Sequence, residues 1–261
     1  MDDLENGRYW EDNAEVWTRL SRAGWDVYRD LLNTPAFFDF LPDVINLTGL
    51  DLGCGEGHNT RLLSQRAGRV YAVDISPTFV GYALAAERER GGTIRYTIAS
   101  GQRLPFAASA FDFVTAFMSL MDLPDLELVL KEIFRVLKPG AFLQFSISHP
   151  CFLTAPFREL LRDSAGNAYA VAVGRYFEAA EPWIEEWLFS AAPSEVKDGL
   201  RPFRIPVFHR PLSGWLNSIL EAGFRIERVA EPFVDEETAA RYPNVADTRV
   251  ASYFLHVRCR R

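Results

Sequence analysis

Three cysteines stand among 261 residues, and Cys54, Cys151 and Cys259 are widely separated with no C-x-x-C pair. That spacing supplies neither a disulfide framework nor a structural zinc site. Long apolar runs are missing too. Nothing approaches the ~20 residues needed to span a bilayer, and the acidic opening MDDLENGRYWEDN has no signal-peptide core. Positive charge is in short supply: 28 Lys and Arg face 35 Asp and Glu, a net charge of −7, and the one basic cluster is Arg258, Arg260 and Arg261. This balance opposes binding along a nucleic-acid backbone. Asp112 and Asp122, acids near strand ends, lack the clustered partners that a hard cation needs, so no metal is expected. The composition is that of a cytoplasmic globular protein with no nucleic-acid or membrane partner.

Residues 9–32 read as helix, with Trp10, Ala14, Trp17 and Ser21 on one face and a break near Gly24. From residue 49 short apolar runs alternate with amphipathic segments. Strands are expected at 49–53, 69–74, 94–99, 111–117 and 141–148, and helices at 58–67, 77–90 and 125–137. The last helix repeats Leu126, Val129, Leu130, Ile133, Phe134 and Leu137 at i, i+3, i+4 spacing before Lys138-Pro139-Gly140. Such alternation builds βαβ units, hence an α/β fold with a doubly wound, mostly parallel sheet. Residues 150–210 break the pattern with many aromatics, from Phe152 to Phe208, and repeated prolines. They are too apolar for a linker and read as a lid folded over the sheet edge. A helix from about 211, stopped at Gly223, and strands at 224–230 and 251–258 complete the chain.

Between the first strand and helix lies GLDLGCGEG. It is not the G-x-G-x-x-G of a dinucleotide site, because Gly53, Gly55 and Gly57 are followed by His58 where the third glycine should stand. It is no P-loop, since no Gly-Lys-Ser/Thr follows. Asp51, two residues before Gly53, would point to the ligand edge, repel a pyrophosphate and suit a cation. Asp74 ends the next strand where an acid grips a ribose diol. A nucleoside with a cationic, phosphate-free tail is implied, and S-adenosylmethionine fits.

DLGCGEG, then VYAVDIS, LPFAASAFDFVTAFMSLMDLPD and LKEIFRVLKPGAFLQFSISHP, together resemble class I S-adenosylmethionine-dependent methyltransferases of the small-molecule type. The resemblance spans about 49–148. It implies a seven-stranded Rossmann-like sheet divided into a helical cap (1–40), a cofactor-binding core (41–149), a lid and substrate insertion (150–210) and the C-terminal part of the core (211–261). It implies that Asp51, Gly53, Cys54, Gly55 and Gly57 line the methionine end and that Asp74 holds the ribose, with Ile75 against adenine. Ser100 and Gly101 stand where the family has an acid and a small residue beside the adenine amine. Phe117, Met118 and Ser119 would lie beneath the transferred methyl. His149 and His209 are the candidate bases, Cys54 reads as a packing residue, and His256 as structural. Trp10, Trp17 and Arg19 are candidate cap contacts to ligand. The implied activity is methyl transfer to an oxygen, nitrogen or carbon nucleophile of a small, apolar or aromatic molecule. An NAD-dependent oxidoreductase and a cofactor-binding regulator without turnover remain open alternatives.

Overall fold

The computed structural model describes residues 1–178 and 181–261. Helix α1 (Asp3–Arg22) starts six residues earlier than its apolar face suggests, because the Asp2 carboxylate caps it by accepting from the Glu5 N–H. Beyond Gly24 the chain makes a π-helical turn (Arg29–Asn33) and then α2 (Thr34–Phe40). The helix expected to end at 32 is thus broken after Arg22 and resumes in the π-helical turn, which is too short to show a period.

The alternating region then follows: β1 (Thr48–Leu52), α3 (His58–Ser64), β2 (Arg69–Asp74), α4 (Pro77–Arg90), β3 (Arg95–Ile98), β4 (Phe111–Phe117), α5 (Leu126–Val136) and β5 (Leu137–Ser148). α3 stops three residues short of its expected end. Two antiparallel hairpins come next, β6 (Phe157–Arg162) with β7 (Ala168–Gly174), and β8 (Trp183–Trp187), through α6 (Ser194–Lys197), with β9 (Phe203–Val207). The segment between β5 and residue 210 is therefore more regular than its prolines suggest. α7 (Leu212–Glu221), β10 (Arg225–Ala230), α8 (Glu236–Arg241) and β11 (Phe254–Arg260) finish the chain.

The main sheet has seven strands in the order β3-β2-β1-β4-β5-β11-β10, and β11 runs antiparallel to both neighbours. It is the doubly wound, mostly parallel sheet expected. The order reverses between β1 and β4, which opens a crevice at their carboxyl ends. One apolar layer, including Val129, Leu130, Ile133, Leu143 and Trp215, packs α5 and α7 on one face; another, with Phe37, Leu63, Val80 and Phe113, packs α2, α3 and α4 on the other. α1 belongs to neither layer. It lies across the sheet edge, where Trp10 and Trp17 join Trp187, Phe189 and Phe203 of the second hairpin region in one aromatic cluster. The Asn13 amide donates to the Arg204 carbonyl and accepts from the Arg204 N–H, both at 3.0 Å, completing the outer edge of β9. Among the described residues no helix is long and apolar enough to cross a membrane.

Candidate active site

The crevice is built from four strand ends. After β1 the chain turns sharply at Gly53, φ +72°, a conformation L side chains rarely adopt, and a β-carbon there would lie 2.3 Å from Cβ of Ser119. The Gly53 and Cys54 N–H groups donate to the Val73 carbonyl at 2.8 and 3.0 Å, and the Gly57 N–H donates to the Cys54 carbonyl. The Gly55 N–H donates to Asp74 Oδ2 at 2.8 Å. With these four amides committed internally, and with Asp51 and Asp74 behind them, the loop is no cradle for phosphate. Above Gly55, φ +53°, the space is open: beyond its chain neighbours, no atom of the described residues lies within 4 Å of where a β-carbon would stand.

Asp74 sits at the end of β2, 9 % exposed. Its other oxygen accepts from the Ser76 N–H at 2.9 Å, and burial holds its carboxyl above the usual range against these hydrogen bonds. Asp51 differs from expectation. Rather than opening to a ligand, its carboxylate accepts from Thr60 at 2.6 Å and from Thr115 at 2.9 Å, tying α3 and β4 to β1, and burial raises its pKa to about 6. Cys54 packs against the second apolar layer, and burial pushes its thiol well up, as befits a packing residue. Glu56, also buried, is paired with Arg22 and Arg61.

On the far side, Ser100 Oγ accepts from the Gln102 N–H in the turn after β3. Gly101 lies over Leu52 and Leu123, whose methyls would be 3.5–3.6 Å from a β-carbon there. Phe117 turns down against Phe37, edge to face at 5.2 Å. Met118 takes a left-handed φ of +51°, and Ser119 Oγ donates to the Leu52 carbonyl at 2.7 Å.

α1 closes the crevice from above. A β-carbon on Gly7 would come within 2.9 Å of Ile75 Cδ1, so the helix rests directly on Ile75. Glu11 takes the hydroxyls of Ser76 and Thr78 at the start of α4. Asn6 donates to the Asp122 carbonyl at 2.9 Å, while its Oδ1, like the hydroxyl of Thr18, is sealed from solvent without a partner. These orphaned groups on the covering helix, the open space over Gly55 and the Asp74 carboxylate are what a nucleoside with hydroxyl and amine groups satisfies. The residues present fit S-adenosylmethionine. Asn6, Glu11 and Thr18 were not singled out from sequence. Their one signal is polar character amid the buried face of an amphipathic helix.

The two histidines part company. His149, 2 % exposed, bonds Glu231 Oε1 through Nε2 at 2.7 Å and accepts from the Cys151 N–H through Nδ1. Both nitrogens are engaged, and burial lowers its pKa against the pull of Glu231. His209 bonds the Tyr176 carbonyl through Nε2 at 2.7 Å and Thr154 through Nδ1 at 3.2 Å. It lines a cavity of about 860 Å³ together with Gln102, Pro124, Phe177 and Arg210. None of the glycine-loop residues lines that cavity. It opens beside the crevice, next to the loops after β3 and β4.

A methyltransferase-domain family model matches residues 50–145. The chain is 39% identical over 113 residues to the demethylmenaquinone methyltransferase of Lactococcus lactis, covering 41% of this chain and 45% of that protein, so it spans about half the length of that relative. It is 30% identical over 208 residues to the ubiquinone biosynthesis O-methyltransferase of Hahella chejuensis, covering 76% and 79%. Among solved structures, an S-adenosylmethionine-dependent methyltransferase from Mesorhizobium loti superposes with a TM-score of 0.70 at 25% identity over 87% of this chain and 96% of that one. The chain belongs to the S-adenosylmethionine-dependent methyltransferase family.

Proposed function

We propose that the protein is a cytoplasmic S-adenosylmethionine-dependent methyltransferase acting on a small apolar or aromatic acceptor through an oxygen, nitrogen or carbon nucleophile. The names of its relatives point to quinone-type rings. The observation that carries the reading is Asp74 at the end of β2, beside an open glycine loop and beneath a helix whose buried polar atoms lack partners. In this reading Gly53, Cys54, Gly55 and Gly57 line the amino-acid end of the cofactor, with Asp51 bracing the loop from behind. Asp74 takes the ribose hydroxyls, while Ile75, Ser100 and Gly101 frame the base. Phe117, Met118 and Ser119 form the floor. The bound cofactor supplies a methyl group already activated on a sulfonium, so the protein's part is positioning and exclusion of water. α1 and the aromatic cluster suit both. His209 faces the cavity where the acceptor enters, and His149 braces the strand end with Glu231. The net charge of −7 supports a small-molecule partner over nucleic acid.

Calorimetric titration with S-adenosylhomocysteine, run beside NAD, tests this. Micromolar binding of the first alone is expected, weakened at least tenfold by Asp74→Ala. Binding of NAD alone, or of neither, overturns the assignment.

A further inference from the structure

Six carboxylates are buried among the described residues. Five accept hydrogen bonds. Asp51 is held by two threonines, Glu56 by two arginines, Asp74 by two backbone amides, Glu87 by the Ile94 N–H and Asp247 by two tyrosines. The sixth, Asp122, is 8 % exposed, and its carboxylate accepts no hydrogen bond from any described residue. An unpaired buried carboxylate is costly and retained where it has a task.

Its place gives that task. Ser119 abuts Gly53 at one end of the crevice, and Leu123 abuts Gly101 at the other. The segment 119–123 thus runs along the crevice floor from the glycine loop to the loop after β3, and Asp122 is its only ionisable group. The backbone is clamped from two sides. Asn6 of α1 donates to the Asp122 carbonyl, and Arg210, ahead of α7, donates through Nη2 to the carbonyls of Leu123 and Pro124 at 2.7 and 3.1 Å. Pro124, two residues on, is also a wall of the cavity that His209 lines, so the floor segment that carries Asp122 runs up to that cavity. Both histidines have their ring nitrogens engaged, whereas the Asp122 carboxylate accepts no hydrogen bond from the described residues.

Resting on the methyltransferase reading, we propose that the Asp122 carboxylate is the catalytic base that deprotonates the acceptor, and that the acceptor is a phenol or enol. The acceptor's O–H bond breaks with its electron pair left on oxygen, and the proton passes to a carboxylate oxygen of Asp122. That oxygen pair forms the new bond to the methyl carbon as the methyl's bond to sulfur breaks, its pair staying on sulfur. The proton leaves to solvent when the product departs. Burial holds the Asp122 carboxyl well above the usual range, with the Arg210 guanidinium opposing the shift, the direction that makes a carboxylate a stronger base. A phenol or enol is the hydroxyl form of the quinone-type ring proposed above.

The test uses the full chain with catechol, 4-nitrocatechol and hydroxynaphthoquinones as acceptor probes. In Asp122→Asn, turnover of catechol is expected to fall 100-fold or more, while S-adenosylhomocysteine affinity stays within threefold and the melting temperature does not fall. Nitrocatechol, which ionises more readily, loses less. The lost rate returns as pH rises through each acceptor's own ionisation, and Asp122→Glu recovers part of it. Turnover within threefold of wild type overturns the proposal. So does a loss that brings cofactor affinity or melting temperature down with it, or a wild-type protein that binds S-adenosylhomocysteine yet methylates none of the probes. Failure of wild type to bind S-adenosylhomocysteine overturns the underlying reading as well.

Discussion

His256 shows how one residue can be read from its strand and yet owe its behaviour to the fold. The alternation of SYFLHVR marks it as structural, and it is fully buried in β11. Its Nε2–H donates to Asn33 Oδ1 at 2.7 Å, an oxygen that also accepts from Ser146 at 2.9 Å, and its Nδ1 has no partner. Burial lowers its pKa to about 4. The free imidazole of the unfolded chain titrates near 6.5, so the unfolded state takes up the proton first and stability is lost as pH falls from about 6.5 to about 4. The difference corresponds to about 3 kcal/mol. Urea unfolding followed over that range is expected to show this fall in the native protein and a shallower one in His256→Gln. Parallel curves would mean the imidazole is not the titrating group. Asp51 teaches the converse. Its place before Gly53 was legible, but which way its carboxylate turned depended on Thr60 and Thr115, residues no local pattern connects to it.

At the scale of elements, the strands and helices of the βαβ region were legible because period and stop signals agree: β2, β4 and α4 fall at 69–74, 111–117 and 77–90 as expected. The two hairpins after β5 were not, because strand pairing rests on partners no local period announces, such as Trp183 with Val207, and because Pro206 lies within β9 itself, opposite Ile184. One link between elements has no sequence signature at all. Asp247, in the turn Pro243–Arg249, accepts from Tyr28 at 2.9 Å and from Tyr253 at 2.8 Å, and the two rings stack at 5.4 Å. It latches the segment between α1 and α2 to the stretch before β11. Asp247→Ala removes two hydrogen bonds to a charged acceptor and strands two phenols, a cost of about 3 kcal/mol or more. Hydrogen exchange is expected to quicken at 25–33 and 243–253 ahead of the sheet. Unchanged protection there would mean the latch is idle.

Across the whole molecule, contacts are distributed unevenly. Among the described residues β6 and β7 pair only with each other, and Phe157, Tyr169 and Val173 on them are 48, 62 and 36 % exposed. The fork of Arg158 on Glu185, at 2.9 Å through both nitrogens, is a surface pair worth under about 1 kcal/mol. Replacing 158–173 by a short glycine-serine turn is therefore expected to leave cooperative unfolding intact and S-adenosylhomocysteine affinity within threefold. A drop in melting temperature beyond about 5 °C, more than ~1 kcal/mol for a chain this long, would place the hairpin in the core.

Short-range chemistry was enough for the class of fold and for the crevice. Apolar period, glycine spacing and an acid at a strand end are properties of neighbouring residues, so a doubly wound sheet and the positions of Gly53, Gly55 and Asp74 followed from the sequence alone. Which carboxylates are braced and which is left free, which histidine nitrogens are occupied, and which face of α1 covers the site depend on partners that no local pattern links, some more than 60 residues away, as between Asp51 and Thr115, Glu11 and Ser76, or Asn6 and Asp122. Only the folded chain brings those partners together, because burial removes the water that would otherwise satisfy each group and leaves its hydrogen bonds to whatever the tertiary structure places beside it.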